Sequence, residues 1–137
     1  MMHLRQWLYF LLFSVAPGLT YQAIQDQWRA ARTDSDFGAY LMGVAPNFLG
    51  AVSVASALFL IGMNRSPKTP RSRLMLIAAG ISMLGLWVWE ALQIFLPSAS
   101  FDWHDIAWTA MGATLFMLVT RIWFREEQRF DDVTPAS

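Results

Sequence analysis

Residues 37–63 read FGAYLMGVAPNFLGAVSVASALFLIGM, a run without a single Asp, Glu, Lys or Arg. A bilayer-crossing helix needs about 20 largely apolar residues, so this stretch alone is long enough to span hydrocarbon. It leads directly into NRSPKTPRSR at 64–73. There Pro67 and Pro70 remove backbone donors, and Arg65, Lys68, Arg71 and Arg73 cannot enter hydrocarbon cheaply, so a loop is expected. Working outward, three further apolar segments appear: about 6–23, through LYFLLF with Pro17 and Gly18 inside it, about 74–96, and about 106–124. A polar stretch at 25–36 and a short acidic one at 97–105 separate them, and 131–137 reads as a flexible tail. The expected fold class is all-α: a transmembrane four-helix bundle forming a single domain over residues 1–130.

Composition agrees. Of 137 residues, 55% are hydrophobic and 15% charged, against roughly 25% charged in ordinary soluble domains. That length leaves no room for a separate soluble catalytic module. The formal net charge is zero, so nothing suggests a nucleic-acid partner. The absence of cysteine excludes disulfides, thiolate metal sites and cysteine nucleophiles, and no cofactor is expected. The first segment also fits a signal peptide loosely, with Arg5 ahead of an apolar run and small residues near Ala16 or Ala23. Its length favours a retained span.

Orientation follows from position rather than sum. Arg5, the 64–73 loop (Arg65, Lys68, Arg71, Arg73) and the carboxyl end (Arg121, Arg125, Arg129) carry eight cations, against Arg29 and Arg32 on the other side. The positive-inside rule places both termini in the cytoplasm, most simply of a bacterial inner membrane. Trp7, Trp28, Trp103, Trp108 and Trp123 fall near span ends, where amphipathic rings sit at headgroup level. Trp87 and Trp89 lie deeper and read as lipid-facing or packing residues. Small residues recur at four-residue spacing in the second span (Ala39 with Gly43, Ala51 with Ala55) and cluster in the third; with Gly50, Gly85 and Gly112 they are expected to let helices approach closely.

Polar groups inside the spans carry the functional information, because an ionisable side chain in hydrocarbon costs about 2.5–3.5 kcal/mol on insertion scales unless paired or solvated. Glu90 lies seven residues before Pro97, roughly 10 Å below the end of its helix. Gln93, three residues on, shares its face. On the fourth span Asp105, Thr109 and Gly112 form one stripe. The short connection makes these two helices antiparallel neighbours, so Glu90, Gln93, Asp102, His104, Asp105 and Thr109 are expected to gather at one membrane surface as a ligand- or partner-binding cluster. Capping explains Asp102 and Asp105 equally directly, since acidic groups satisfy orphan amides at a helix start. His104 is read as a solvated loop residue, because a single histidine makes no metal site. Asn47, beside Pro46 near the bilayer midplane, is expected to bond to a neighbouring helix or to backbone freed by the proline.

The stretch Glu90-Ala-Leu-Gln93-Ile-Phe-Leu-Pro97, then Phe101 and Asp105-Ile-Ala-Trp-Thr109-Ala-Met-Gly112-Ala, resembles the VanZ-like family of small polytopic membrane proteins. Members carry a Glu, a Gln three residues later, a short loop, and an Asp followed by an Asn and a Gly at these spacings. The resemblance covers about a quarter of the chain. Here Thr109 stands where Asn is usual, and the second span lacks the family's Lys and His, with Asn47 at the histidine position. The resemblance implies a membrane-protein role of the glycopeptide-resistance type.

Three function classes compete. The first is a non-enzymatic membrane protein whose outward polar cluster binds an envelope lipid, peptide or partner protein. The second is an accessory subunit of a larger membrane complex, with a homo-oligomer or other membrane proteins as partners. The third is an intramembrane hydrolase using Glu90 or Asp105 as general base with His104 assisting, which no serine or metal constellation accompanies; no catalytic residue is assigned.

Overall fold

A computed structural model describes residues 3–24, 26, 36–95 and 102–125, and these are helical with no strand among them. The first segment is built from α1 (Leu4–Phe10), a π-helical turn (Leu11–Val15) and α2 (Ala16–Ala23). Pro17 has no N–H and its ring crowds the carbonyl four residues back. The helix widens beside it, and the Ala16 amide reaches back to the Leu11 carbonyl. The junction residues Leu11, Val15 and Ala16 keep right-handed helical backbone angles, so residues 4–23 are helical without a break.

Three longer helices follow, α3 (Asp36–Arg65), α4 (Arg71–Gln93) and α5 (Trp103–Trp123), each long and apolar enough to cross a membrane. Three boundaries differ from the sequence expectation by three residues, one of them the end of the third span, at Gln93 rather than near Leu96. The third span begins at Arg71 rather than near Leu74, because Pro70 supplies an extended residue and a free carbonyl to which the Leu74 amide bonds at 3.1 Å. Arg71 and Arg73 thus belong to a first helical turn and not to the loop. The fourth span begins at Trp103 rather than Ile106, because Asp102 caps it. The polar stretch 27–35, the loop residues 96–101 and the tail 131–137 lie outside the described residues.

Helix α3 is the hub: 56% of its apolar window is buried within the bundle, against 33% for α4 and 28% for α5. At one end the core is aromatic. Tyr9, Phe59, Phe116 and Phe124 are fully buried, with ring centroids 5.2 Å apart for Tyr9–Phe124 and 5.6 Å for Phe59–Phe124. The Arg5 and Arg71 guanidiniums lie 5.9 and 5.8 Å from the Phe124 ring centre, where cations are attracted to an aromatic face. Arg5 also donates to the Trp123 carbonyl, tying α1 to the end of α5.

Towards the other end the helices meet through small residues and backbone oxygens. A Cβ at Gly112 would stand 2.4 Å from the Phe48 carbonyl oxygen and 3.0 Å from the Ala51 Cβ, so α3 and α5 touch backbone to backbone. Ser82 of α4 donates to the Ala51 carbonyl at 3.1 Å, and Ser53 of α3 to the Ser14 carbonyl of the π turn at 2.7 Å. Gly50 makes ordinary contacts, 3.9 Å from Leu86 and 4.0 Å from Tyr21. Gly85, expected at a helix contact, is not at one: it lies on the outward face of α4, and a Cβ there meets nothing within 4 Å. Trp87 and Trp89 are exposed on the same helix, as the lipid-facing reading expects.

Candidate functional site

Glu90 occupies the last turn of α4, with Gln93 one turn further on the same side. The Gln93 side-chain amide donates to Glu90 Oε1 at 2.8 Å. The Asn47 amide of α3 approaches the same oxygen at 3.5 Å, the long limit for such a bond. Glu90 is 1% exposed, and its second oxygen, Oε2, is buried without a hydrogen-bond partner. From α5 the Asp105 carboxylate, and more weakly that of Asp102, lies within electrostatic reach of Glu90.

Three helices therefore converge on one carboxylate, with Asn47, Glu90, Gln93 and Asp105 brought together. Thr109 is fully buried beside them, but its hydroxyl donates to the Asp105 carbonyl at 2.8 Å, satisfied within its own helix. The close approach at Gly112 holds α3 and α5 together one turn below Thr109.

Asp102 and His104 stand apart from this cluster. Both are exposed, and Asp102 Oδ1 accepts from the His104 amide at 2.9 Å and lies 2.8 Å from its Nδ1. This is a helix cap: the carboxylate satisfies an orphan amide at the positive end of α5. The backbone bond first, and the imidazole second, hold the Asp102 carboxyl below the usual carboxylate range. The His104 ring also meets Tyr40 edge-on at 5.8 Å, and Trp108 donates to the Tyr40 hydroxyl at 3.0 Å, joining α5 to α3 at this end. Among the described residues no group of three metal-ligating side chains gathers.

Asp102→Ala is expected to lower stability by about 1 kcal/mol, while Asp102→Asn, itself a good cap, is expected to cost little. Because the folded carboxyl sits below its unfolded range, the contribution is complete above the unfolded value and lost as pH falls through the folded one. Denaturant titration of both variants at neutral and acidic pH checks this; equal loss in Asn and Ala would remove the cap reading.

No family model, curated protein or solved structure matches this chain.

Sequence reading missed a second polar cluster, in which the Tyr9 hydroxyl lies 3.2 Å from Ser56 Oγ and 2.5 Å from Thr120 Oγ1 amid the aromatic core. Tyr9 sits within LYFLLF and reads as one more apolar residue. Its only sequence signal is the presence of Ser56 and Thr120 in spans of their own. Every hydroxyl there has a partner, so the cluster pins α1 to α3 and α5.

Proposed function

We propose that the chain is a non-enzymatic, VanZ-like integral membrane protein of the bacterial inner membrane, crossing four times with both termini cytoplasmic. Its Glu90 cluster binds an envelope lipid, peptide or partner membrane protein. The observation that carries this reading is Glu90 Oε2. The hydroxyls of Tyr9, Ser53, Ser82, Thr109 and Thr120 all find partners inside the bundle, whereas this oxygen of a charged group does not. A buried carboxyl without a full set of partners is costly in either protonation state, and intramembrane ionisable groups are kept chiefly where they are used.

Charge placement supports the orientation. Arg5, Arg65, Lys68, Arg71, Arg73, Arg121 and Arg125 all fall at one end of the helices, and Glu90, Asp102 and Asp105 at the other. The first end is cytoplasmic by the positive-inside rule, which turns the Glu90 end outward. Single cysteines at Ser66 and His104, both exposed, test it: an impermeant thiol reagent added outside is expected to label position 104 and spare 66. The reverse pattern would overturn the topology.

Binding itself is tested by purification in mild detergent and mass spectrometry of what accompanies the chain. One lipid enriched over the bulk membrane, or one protein in stoichiometric amount, is expected; recovery of neither overturns the reading. The accessory-subunit class has its own observation: Gly80 and Gly85 leave open positions on the outer face of α4, where a neighbouring helix could approach closely. A stoichiometric protein partner would favour it.

A further inference from the structure

The geometry points to a primary ammonium group as what the Glu90 site takes, an inference that rests on the binding reading above. Both nearby side-chain amides, Gln93 and Asn47, are directed at Oε1. Oε2 is left buried on an ionisable group, with no hydrogen-bond partner. The described cations cannot supply one. They lie at the opposite end, and Arg71, on the same helix nineteen residues earlier, is about 28 Å away along the axis.

An ionised Glu90, with Asp105 as a second negative group within electrostatic reach, keeps its charge in a buried site only beside a cation, and a neutral donor would leave that charge unmatched. The occupant that holds Glu90 ionised is therefore cationic. Among the described residues no group of three His, Cys, Asp or Glu side chains gathers, so a divalent ion here would have to keep most of its water shell inside a buried site. An ammonium needs far less. It carries three N–H donors on a compact charge, one for Oε2 and two for acceptors such as the Asn47 and Gln93 side-chain carbonyls. Glu90 lies three residues from the end of α4, about 4.5 Å along the axis, a depth open to a group arriving at the membrane surface.

The same chemistry is offered by the headgroup of phosphatidylethanolamine and by a soluble amine. To separate them, the full chain is placed in nanodiscs of equal phosphatidylethanolamine and phosphatidylcholine, and the lipids it retains on release are quantified by native mass spectrometry. Phosphatidylcholine carries the same charge without an N–H. At least tenfold enrichment of the ethanolamine lipid is expected for the wild type and is expected to vanish in Glu90→Gln. In parallel, thermal unfolding in phosphatidylcholine-only nanodiscs is followed with ethanolamine and with tetramethylammonium. Lipid enrichment without protection by ethanolamine assigns the headgroup; protection by ethanolamine but not tetramethylammonium, without lipid enrichment, assigns a soluble amine.

No preference in either arm overturns the proposal, as does a preference that survives in Glu90→Gln. Should that variant not fold, the wild type decides alone: retention is expected to fall stepwise from ethanolamine through mono- and dimethylated headgroups to choline, and a flat series overturns the assignment. A flat series combined with loss of a co-purifying partner in Glu90→Gln would refute the ammonium and leave the binding reading standing. A flat series with no change in what co-purifies would refute both.

Discussion

Replacing Gly112 by leucine is expected to abolish the folded bundle, and replacing it by alanine to destabilise it by about 1–3 kcal/mol, the usual range for overpacking a tight contact. The Cβ of either residue would stand 2.4 Å from the Phe48 carbonyl oxygen, and that neighbour is backbone in the middle of the hub helix, with no rotamer to move. Relief requires α5 to back away from α3. Such a shift would also disturb the Tyr40–Trp108 hydrogen bond and the approach of Asp105 to Glu90. In hydrocarbon, packing and interhelical bonds hold helices together without a hydrophobic driving force between them, so a lost close approach has no ready substitute. The controls are Gly80→Ala and Gly85→Ala, where an added Cβ meets nothing within 4 Å. Both are expected to be neutral or slightly stabilising, since alanine is the better helix former. Unfolding in mixed detergent, followed by circular dichroism, separates the outcomes; an alanine at 112 as well tolerated as at 80 would remove the close contact as a determinant of the fold.

That contrast shows where sequence reading stopped. Gly112 and Gly85 are both single glycines in apolar spans, and four-residue spacing of small residues cannot say which face meets a helix and which meets lipid. The three longer spans were legible because unbroken apolar length is a one-dimensional property. Helix starts were less so: Pro70 and Asp102 each moved a boundary by three residues, through local bonds that hydropathy does not register. Glu90 and Gln93 could be paired from their spacing, and the short connection placed Asp105 near them. The involvement of Asn47, forty-three residues earlier, depended on how α3 packs. Asp102 matched a cap and a site equally in sequence and His104 read as a solvated loop residue; the Asp102 carboxylate does cap α5, through the His104 amide, and also meets the His104 ring.

Glu90→Gln is expected to weaken ligand or partner binding at least ~30-fold, as loss of one member of a buried charged contact usually does, while leaving the protein folded in the membrane. The swap keeps the shape and keeps an acceptor for the Gln93 and Asn47 amides, so the convergence of α3 and α4 need not change. It removes an ionisable group from a buried position, and stability is therefore expected to stay level or rise. A loss of binding accompanied by unchanged or higher stability isolates the charge as the property in use, because a purely structural carboxylate could not give that combination. Asp105→Asn is expected to weaken binding by less, since Asp105 acts on Glu90 through space rather than through a bond. If Asp105 only complements the positive end of α5, the asparagine variant will bind as the wild type does and lose a few tenths of a kcal/mol of stability, about what a charge in the first turn of a helix contributes. Pull-downs or lipid retention for the two variants, set beside their unfolding curves, give the answer directly. Should both bind like the wild type, Glu90 is not the centre of a site, and its buried oxygen is a cost of the fold with no use attached.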